Sequence, residues 1–280
     1  MINGIPSFIK WAGGKKQLLD QFKLYFPKKI NRFFDPFVGG GTITFHIIKN
    51  YNPKEVFISD INEELINTYK VIKNNVDELI EILKKYKEKH NKEIYYIVRA
   101  EDPSLLSEVT RAARFIYLNK TCFNGLYRVN SKGKFNVPMG SYKNPSILME
   151  QDLREISKLL KNIKISVMSF EKMIPLAKKG DFIYFDPPYY PLKKGNGFTT
   201  YTKGNFLEEE QKQLAEVFKK LDKKDCKVML SNSDTKFIKD LYKDYKISFV
   251  KANRMINCNG NGRGKINEVV VINYSAKDPQ

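Results

Sequence analysis

The stretch "FFDPFVGGGTITFHII", residues 33–48, decides how this chain folds. Phe33 and Phe34 read as the end of a buried strand that stops at Asp35; three glycines follow, and a helical run opens where Thr42 can cap it. Glycine lets backbone come close to a ligand, and the first turn of the helix aims free amides outward. The next strand, "EVFISD", ends at Asp60, about twenty residues past the turn, where a carboxylate can accept both hydroxyls of a ribose. Strand, glycine turn, helix and acid together describe a nucleoside-containing ligand lying across strand ends. The spacing is GGGT rather than GxGxxG, and no dehydrogenase motif follows, which argues against a nicotinamide enzyme.

Outward from that unit, short apolar strands alternate with amphipathic helices at both ends of the chain, an α/β pattern. Strands are predicted at Arg32 to Asp35, Glu55 to Ser59, Ile163 to Ser169, Phe182 to Phe185, Lys227 to Leu230, Ile247 to Lys251 and Val269 to Ile272. Between the second and third, residues 62–89 and 104–121 carry apolar side chains every three or four positions and no strand pattern. "NGLYRVNSKGKFNVPMGSYKNP", residues 124–145, interrupts that helical spacing, and Ser131 to Lys134 read as a hairpin turn. Residues 63–159 are therefore expected to form a domain inserted between residues 1–62 and 160–280.

With 280 residues the chain buries a core without staples. Three scattered cysteines and no CxxC pair predict neither a disulfide framework nor a zinc site, and a cytoplasmic protein is expected. No segment reads as a signal peptide or a membrane span. His46 and His90 fall in helical stretches away from any motif and read as structural. The formal net charge of +18 suits a polyanionic partner, since neutralising phosphates releases counterions. Only 8 of the 49 basic residues are arginine, so the excess also fits an AT-rich coding bias.

"DFIYFDPPYYP", residues 181–191, supplies the chemistry. A strand ends at Asp186, in the crevice where open α/β sheets bind ligands, and is backed by Pro187 and Pro188. The exocyclic amine of a nucleobase is a poor nucleophile because its lone pair is delocalised into the ring. Two acceptors aimed at its N–H bonds localise that pair. Asp186 is one, and the carbonyl of Pro187 or Pro188, held by the fixed proline φ, is the other. Tyr189 offers a flat face for a base extruded from a duplex.

Asp186-Pro187-Pro188-Tyr189 resembles the DPPY signature of amino-methyltransferases, and Asp35 to Gly41 resembles their cofactor motif. The order of cofactor motif, helical insertion and DPPY is similar to the alpha-order group of adenine-specific DNA methyltransferases. "FIKWAGGKKQLL" looks like that group's opening signature, and residues 124–145 are similar to the recognition segment of members acting on GATC. The resemblance spans nearly the whole chain.

It implies a Rossmann-like sheet of the S-adenosylmethionine-dependent kind, with a helical inserted target-recognition domain that contains a β-hairpin. It further implies S-adenosylmethionine as cofactor, its ribose near Asp60 and its adenine near Phe37 and Ile61. Trp11, Lys15, Asp35, Gly39, Gly41 and Asp186 also match cofactor positions; core packing for Trp11 and a solvated lysine for Lys15 are the alternatives. Transfer would need no metal and no covalent enzyme intermediate. Double-stranded DNA would be the substrate, with Asn124 at the opened site and Arg128 reading a guanine or holding a phosphate. Leu126 and Pro138 would touch a thymine methyl or pack the hairpin, Tyr142 would support the hairpin or touch the backbone, and Lys10 would read or clamp the outer guanine. Arg263 and Lys265, in a Gly-rich loop, are expected on phosphates. The chain would act as a monomer or weak dimer, alone or beside a restriction endonuclease with the same site.

Overall fold

The computed structural model describes residues 4–130, 133–192, 206–253 and 265–276. Its seven strands are β1 (Arg32–Asp35), β2 (Glu55–Asp60), β3 (Lys164–Val167), β4 (Phe182–Phe185), β5 (Lys227–Ser233), β6 (Lys246–Asn253) and β7 (Lys265–Ile272). They form one sheet in the order β3-β2-β1-β4-β5-β7-β6. The first five are parallel to one another, and β7 runs antiparallel to β5 and β6. Each strand read from the sequence is present, though β5 runs on to Ser233 and β7 begins at Lys265, which pairs with Asn253. Lys265 is thus in a strand and not in the loop expected for it; Arg263 lies outside the described residues.

Successive strands step outward from β1 to β2 and β3 on one side and from β4 to β5 on the other. The order therefore reverses between β1 and β4, and the crevice opens beyond their carboxyl ends. Every residue of β4 is buried, as befits a central strand covered on both faces. On one face Phe34, Ile183, Phe185 and Leu230 pack under α8 (Glu208–Asp222) and α9 (Lys236–Leu241). On the other, Phe33 and Phe182 join α1 (Leu19–Phe22), α2 (Thr42–Tyr51) and the helices that follow β2.

Those helices are α3 (Glu63–Asn74), α4 (Val76–Glu88), α5 (Lys92–Ala100), α6 (Glu108–Thr121) and α7 (Glu150–Leu160). The apolar run over 62–89 is two helices, because Asn75 leaves helical dihedrals at φ −135° and ψ 38°. Asn62 and Ser107 cap α3 and α6 by accepting from Leu65 N and Thr110 N. Leu65, Ile80, Tyr117 and Leu153 share a continuous core with Phe8, Phe33 and Phe182. The helical stretch is thus also the crossover from β2 to β3. After α6 the chain forms the hairpin, with Val129 bridged to Phe135 and Gly133 N donating to Asn130 O. Ser131 and Lys132 of the expected turn lie outside the described residues.

The helix cap expected of Thr42 does not form. Thr42 is the first residue of α2, and Gly41, at φ 73°, makes the entry turn without a side-chain cap. A Cβ at Gly41 would lie 2.6 Å from Tyr69 Oη and 2.8 Å from Phe45, both fully buried. At Gly39, φ 46°, a Cβ would lie 2.6 Å from Trp11 Nε1. The protein's own aromatic rings therefore fill the space that these glycines leave.

His46 is buried beside Asn50, and His90 Nδ1 meets Tyr117 Oη at 2.9 Å. Among the described residues no group of acids, cysteines and histidines could hold a metal, and no helix is long and apolar enough to cross a membrane. Gly41→Ala combines left-handed backbone with a buried clash, so we expect a loss of about 2 kcal/mol of unfolding free energy in urea. A change below about 0.5 kcal/mol would show that the Tyr69 and Phe45 rings yield freely.

Candidate active site

The carboxyl ends of β1, β2 and β4 bring Asp35, Asp60 and Asp186 to one crevice, with Glu268 approaching from β7. Asp186 Oδ1 accepts from Lys15 Nζ at 2.8 Å and from Ser231 Oγ at 2.9 Å. Because Ser231 spends its proton on Asp186, Tyr184 Oη must donate to Ser231 Oγ, at 2.8 Å. Among the described residues both Asp186 bonds fall on Oδ1, so Oδ2 keeps its acceptor capacity. Burial pushes Asp186 above the usual carboxylate range, while Lys15 pulls it down.

Lys15 is 3% exposed, which rules out a solvated lysine. It also donates to Gly13 O and lies 4.8 Å from the centre of the Tyr189 ring. One face of Tyr189 is thus taken by an ammonium, and Tyr189 Oη donates to Glu268 Oε2 at 2.6 Å. Glu268 escaped the sequence reading because it lies just ahead of the apolar run Val269 to Ile272, far from any motif. Its fixed distance from Tyr189 comes from β7 lying beside β5.

Asp35 is 2% exposed; its Oδ2 accepts from Thr44 Oγ1 at 2.6 Å, and its Oδ1 is buried with no hydrogen-bond partner among the described residues. Burial pushes its pKa up to about 7 against the Thr44 hydroxyl, with the charge of Asp186 adding to the rise. Asp60 rises to about 6 by burial, opposed by the amides of Asn62 and Gly39. Phe37 stacks on Phe170 at 5.5 Å and meets Phe206 edge-on at 5.8 Å, while Ile61 stands 52% exposed beside Asp60. Phe170 and Phe206 were invisible to motif reading, since apolar residues in short connecting segments carry no signature.

Trp11 lies against Gly39 and Gly40, and its ring is 6.4 and 6.3 Å from the rings of Phe115 and Tyr127. One residue earlier, Lys10 N donates to Asn119 Oδ1 and Asn119 Nδ2 donates to Lys10 O, both at 2.7 Å, and to Gly125 O at 3.0 Å. The Lys10 ammonium sits 3.7 Å over the Tyr142 ring. Phe123 and Asn124 are exposed beside it, Asn124 at φ 55°, and Phe123 N donates to Pro138 O at 2.9 Å. Lys10, Asn124, Pro138 and Tyr142 are therefore gathered on one face. Exposed Phe123 joins them unpredicted. Leu126 packs against the core, and Arg128 Nε donates to Asn136 Oδ1 at 2.8 Å across the hairpin.

A doubly covered, mostly parallel sheet with an acid-lined crevice at its switch point is the fold of S-adenosylmethionine-dependent methyltransferases. Residues 11–256 match the D12 class of N6 adenine-specific DNA methyltransferases. The type II methyltransferase M.MjaIII of Methanocaldococcus jannaschii is 48% identical, over 96% of this chain and 99% of its own. M1.LlaDCHI of Lactococcus lactis subsp. cremoris, also a type II methyltransferase, is 45% identical over 95% of each chain. The DNA adenine methylase of Escherichia coli is 34% identical over 95% of this chain and 94% of its own. The chain belongs to the D12 class of N6 adenine-specific DNA methyltransferases, and it is an adenine-specific DNA methyltransferase.

Asp35 binds its proton more tightly folded than unfolded, so its contribution to stability falls as pH rises from about 4 to about 7. Asp35→Asn, neutral throughout, should remove that part of the slope in urea unfolding measured between about pH 5 and pH 8. Equal slopes in the two proteins would place the Asp35 titration below this window.

Proposed function

We propose that the chain methylates the N6 amine of an adenine rotated out of duplex DNA within GATC, with S-adenosylmethionine as donor. One observation carries the reading: Asp186 is held at the end of β4 by Lys15 and Ser231 through Oδ1 alone, beside an ordered proline pair. The Pro188 carbonyl accepts from Gln211 Nε2 at 2.9 Å, so the Pro187 carbonyl is the second acceptor we assign to the amine. With one N–H on Asp186 Oδ2 and the other on Pro187 O, the nitrogen pyramidalises and its lone pair points at the methyl. Asp186 Oδ2 then takes the proton that the amine sheds, and Lys15 favours the ionised carboxylate beforehand, against its burial.

S-adenosylmethionine supplies a methyl already activated on a sulfonium. The site fits such a cation, because Asp35 Oδ1 is a buried acceptor without a partner among the described residues and Asp60 and Asp186 lie near it. Asp60 would take the ribose, Phe37 and Ile61 the adenine, and Trp11, Lys15, Gly39 and Gly41 the walls of the cradle. Cofactor affinity should accordingly strengthen as pH rises through about 7, in step with loss of the Asp35 proton.

On the DNA side, residues 63–159 read the target while 1–62 and 160–280 catalyse. Support comes from Lys10, Asn124, Pro138 and Tyr142 sharing a face, from Arg128 fixed by Asn136, and from relatives named DNA adenine methylase. Phe123, an exposed ring beside Asn124, suits the gap left by an extruded base. Two relatives named type II methyltransferases support work beside an endonuclease of the same specificity.

Radiolabelled methyl should enter adenine of unmethylated plasmid at GATC; absence of label, or label in cytosine, overturns the reading. Asp186→Ala should slow transfer by at least about 10²-fold while duplex affinity stays within about threefold. Arg128→Ala should cost about 1–3 kcal/mol and relax discrimination at one guanine, whereas uniform weakening over all sequences would make Arg128 a phosphate contact.

A further inference from the structure

The loop after Asp186 is held by two fully buried amides that no catalytic motif contains. Gln211 on α8 and Asn232 on β5 are each 0% exposed. Asn232 Oδ1 accepts from Tyr190 N at 3.1 Å and Ser233 N at 2.8 Å. Backbone N–H groups only donate, so the orientation of Asn232 is set, and its Nδ2 must face Gln211 Oε1, at 3.0 Å. Gln211 is oriented in turn, and its Nε2 meets Pro188 O at 2.9 Å. Ser233 Oγ adds a bond to Tyr190 O at 2.7 Å. The direction of the relay is fixed by the backbone N–H groups at its Asn232 end and the backbone carbonyl at its Gln211 end.

We propose that Gln211, oriented by Asn232, is a positioning residue that withdraws the Pro188 carbonyl from the crevice and so makes the Pro187 carbonyl the amine's second acceptor. The inference rests on the two-acceptor reading above. Two prolines already fix two φ angles between Asp186 and Tyr189. Anchoring the Pro188–Tyr189 peptide plane at its oxygen and Tyr190 at its nitrogen removes most of the remaining freedom. An acceptor pair must be held to well under an ångström, because a misplacement of about 1 Å costs about 10²-fold in rate.

Two substitutions test this. Gln211→Met keeps the volume and deletes both bonds. Gln211→Glu keeps the shape and makes the donor titratable: protonated, it still donates to Pro188 O, and ionised, it repels that oxygen. Single-turnover methylation should fall about tenfold to 10²-fold in Gln211→Met, with affinities for S-adenosylhomocysteine and duplex within about twofold of wild type. The Gln211→Glu rate, taken as a ratio to wild type at each pH, should recover as pH falls.

Pro188–Tyr189 is the only Pro–Tyr step in the chain, so ¹³C-carbonyl proline with ¹⁵N-tyrosine gives one correlated resonance for that peptide. Its carbonyl shift should move upfield in Gln211→Met and titrate in Gln211→Glu. A folded Gln211→Met with wild-type rate and an unmoved resonance overturns the inference, and it decides the matter should Gln211→Glu not fold. A Gln211→Glu ratio constant with pH overturns it too. Wild type assayed in parallel separates the two ideas: if it puts no methyl on adenine the functional reading fails, and if it does while the variants match it only the positioning role fails.

Discussion

The Lys15–Asp186 ion pair is the constraint on which the site depends. A carboxylate at the end of a strand buried on both faces is poorly hydrated, and left alone it would take up a proton and lose half its acceptor capacity. A nearly buried ammonium at 2.8 Å opposes that protonation. The pairing also reaches across the chain, because Lys15 belongs to the opening segment and Asp186 to the middle of the sheet. Removing either partner leaves the other buried and uncompensated, which is far more costly than the pair itself is stabilising. The opening segment is therefore pinned to the crevice at one end by charge.

At its other end the same segment is pinned by Asn119. A single fully buried amide closes a two-way hydrogen-bonded pair with the backbone of Lys10 and reaches on to Gly125 O. Gly125, at φ 64°, leaves no room for a Cβ, which would stand 2.6 Å from Lys10. Six residues, Lys10 to Lys15, thus run from the exposed face that carries Asn124 and Tyr142, past the glycine turn under Trp11, to Asp186. The geometry of the Asp186 carboxylate and that of the exposed face cannot shift independently without breaking buried bonds.

How much of this was legible beforehand follows from range. The seven strands were readable because runs such as Phe182 to Phe185 are apolar on both faces, and Asp35, Asp60 and Asp186 because each closes such a run. Asn75 was missed as a break since its neighbours keep helical spacing on both sides. Thr42 looked like a cap from composition, yet Gly41 enters α2 in a left-handed turn and a neighbouring threonine, Thr44, binds Asp35. Glu268, Ser231, Asn232 and Gln211 carried no local signal: their meaning lies in which strand is adjacent to which, and β7 was inserted antiparallel between β5 and β6.

The strand order brings one more acid, Glu268 on β7, to the three at the carboxyl ends of β1, β2 and β4. Asp35, Asp60, Asp186 and Glu268 converge where Lys15 is the paired ammonium, in a chain that otherwise carries a net charge of +18. Burial raises the pKa of all four acids, which means that the crevice resists full ionisation on its own. A cationic group entering there would be stabilised by carboxylates and would stabilise them in return, releasing protons as it binds. The strand order thus concentrates negative charge at one point of a strongly basic chain, which suits a cation in the crevice and a polyanion elsewhere on the protein.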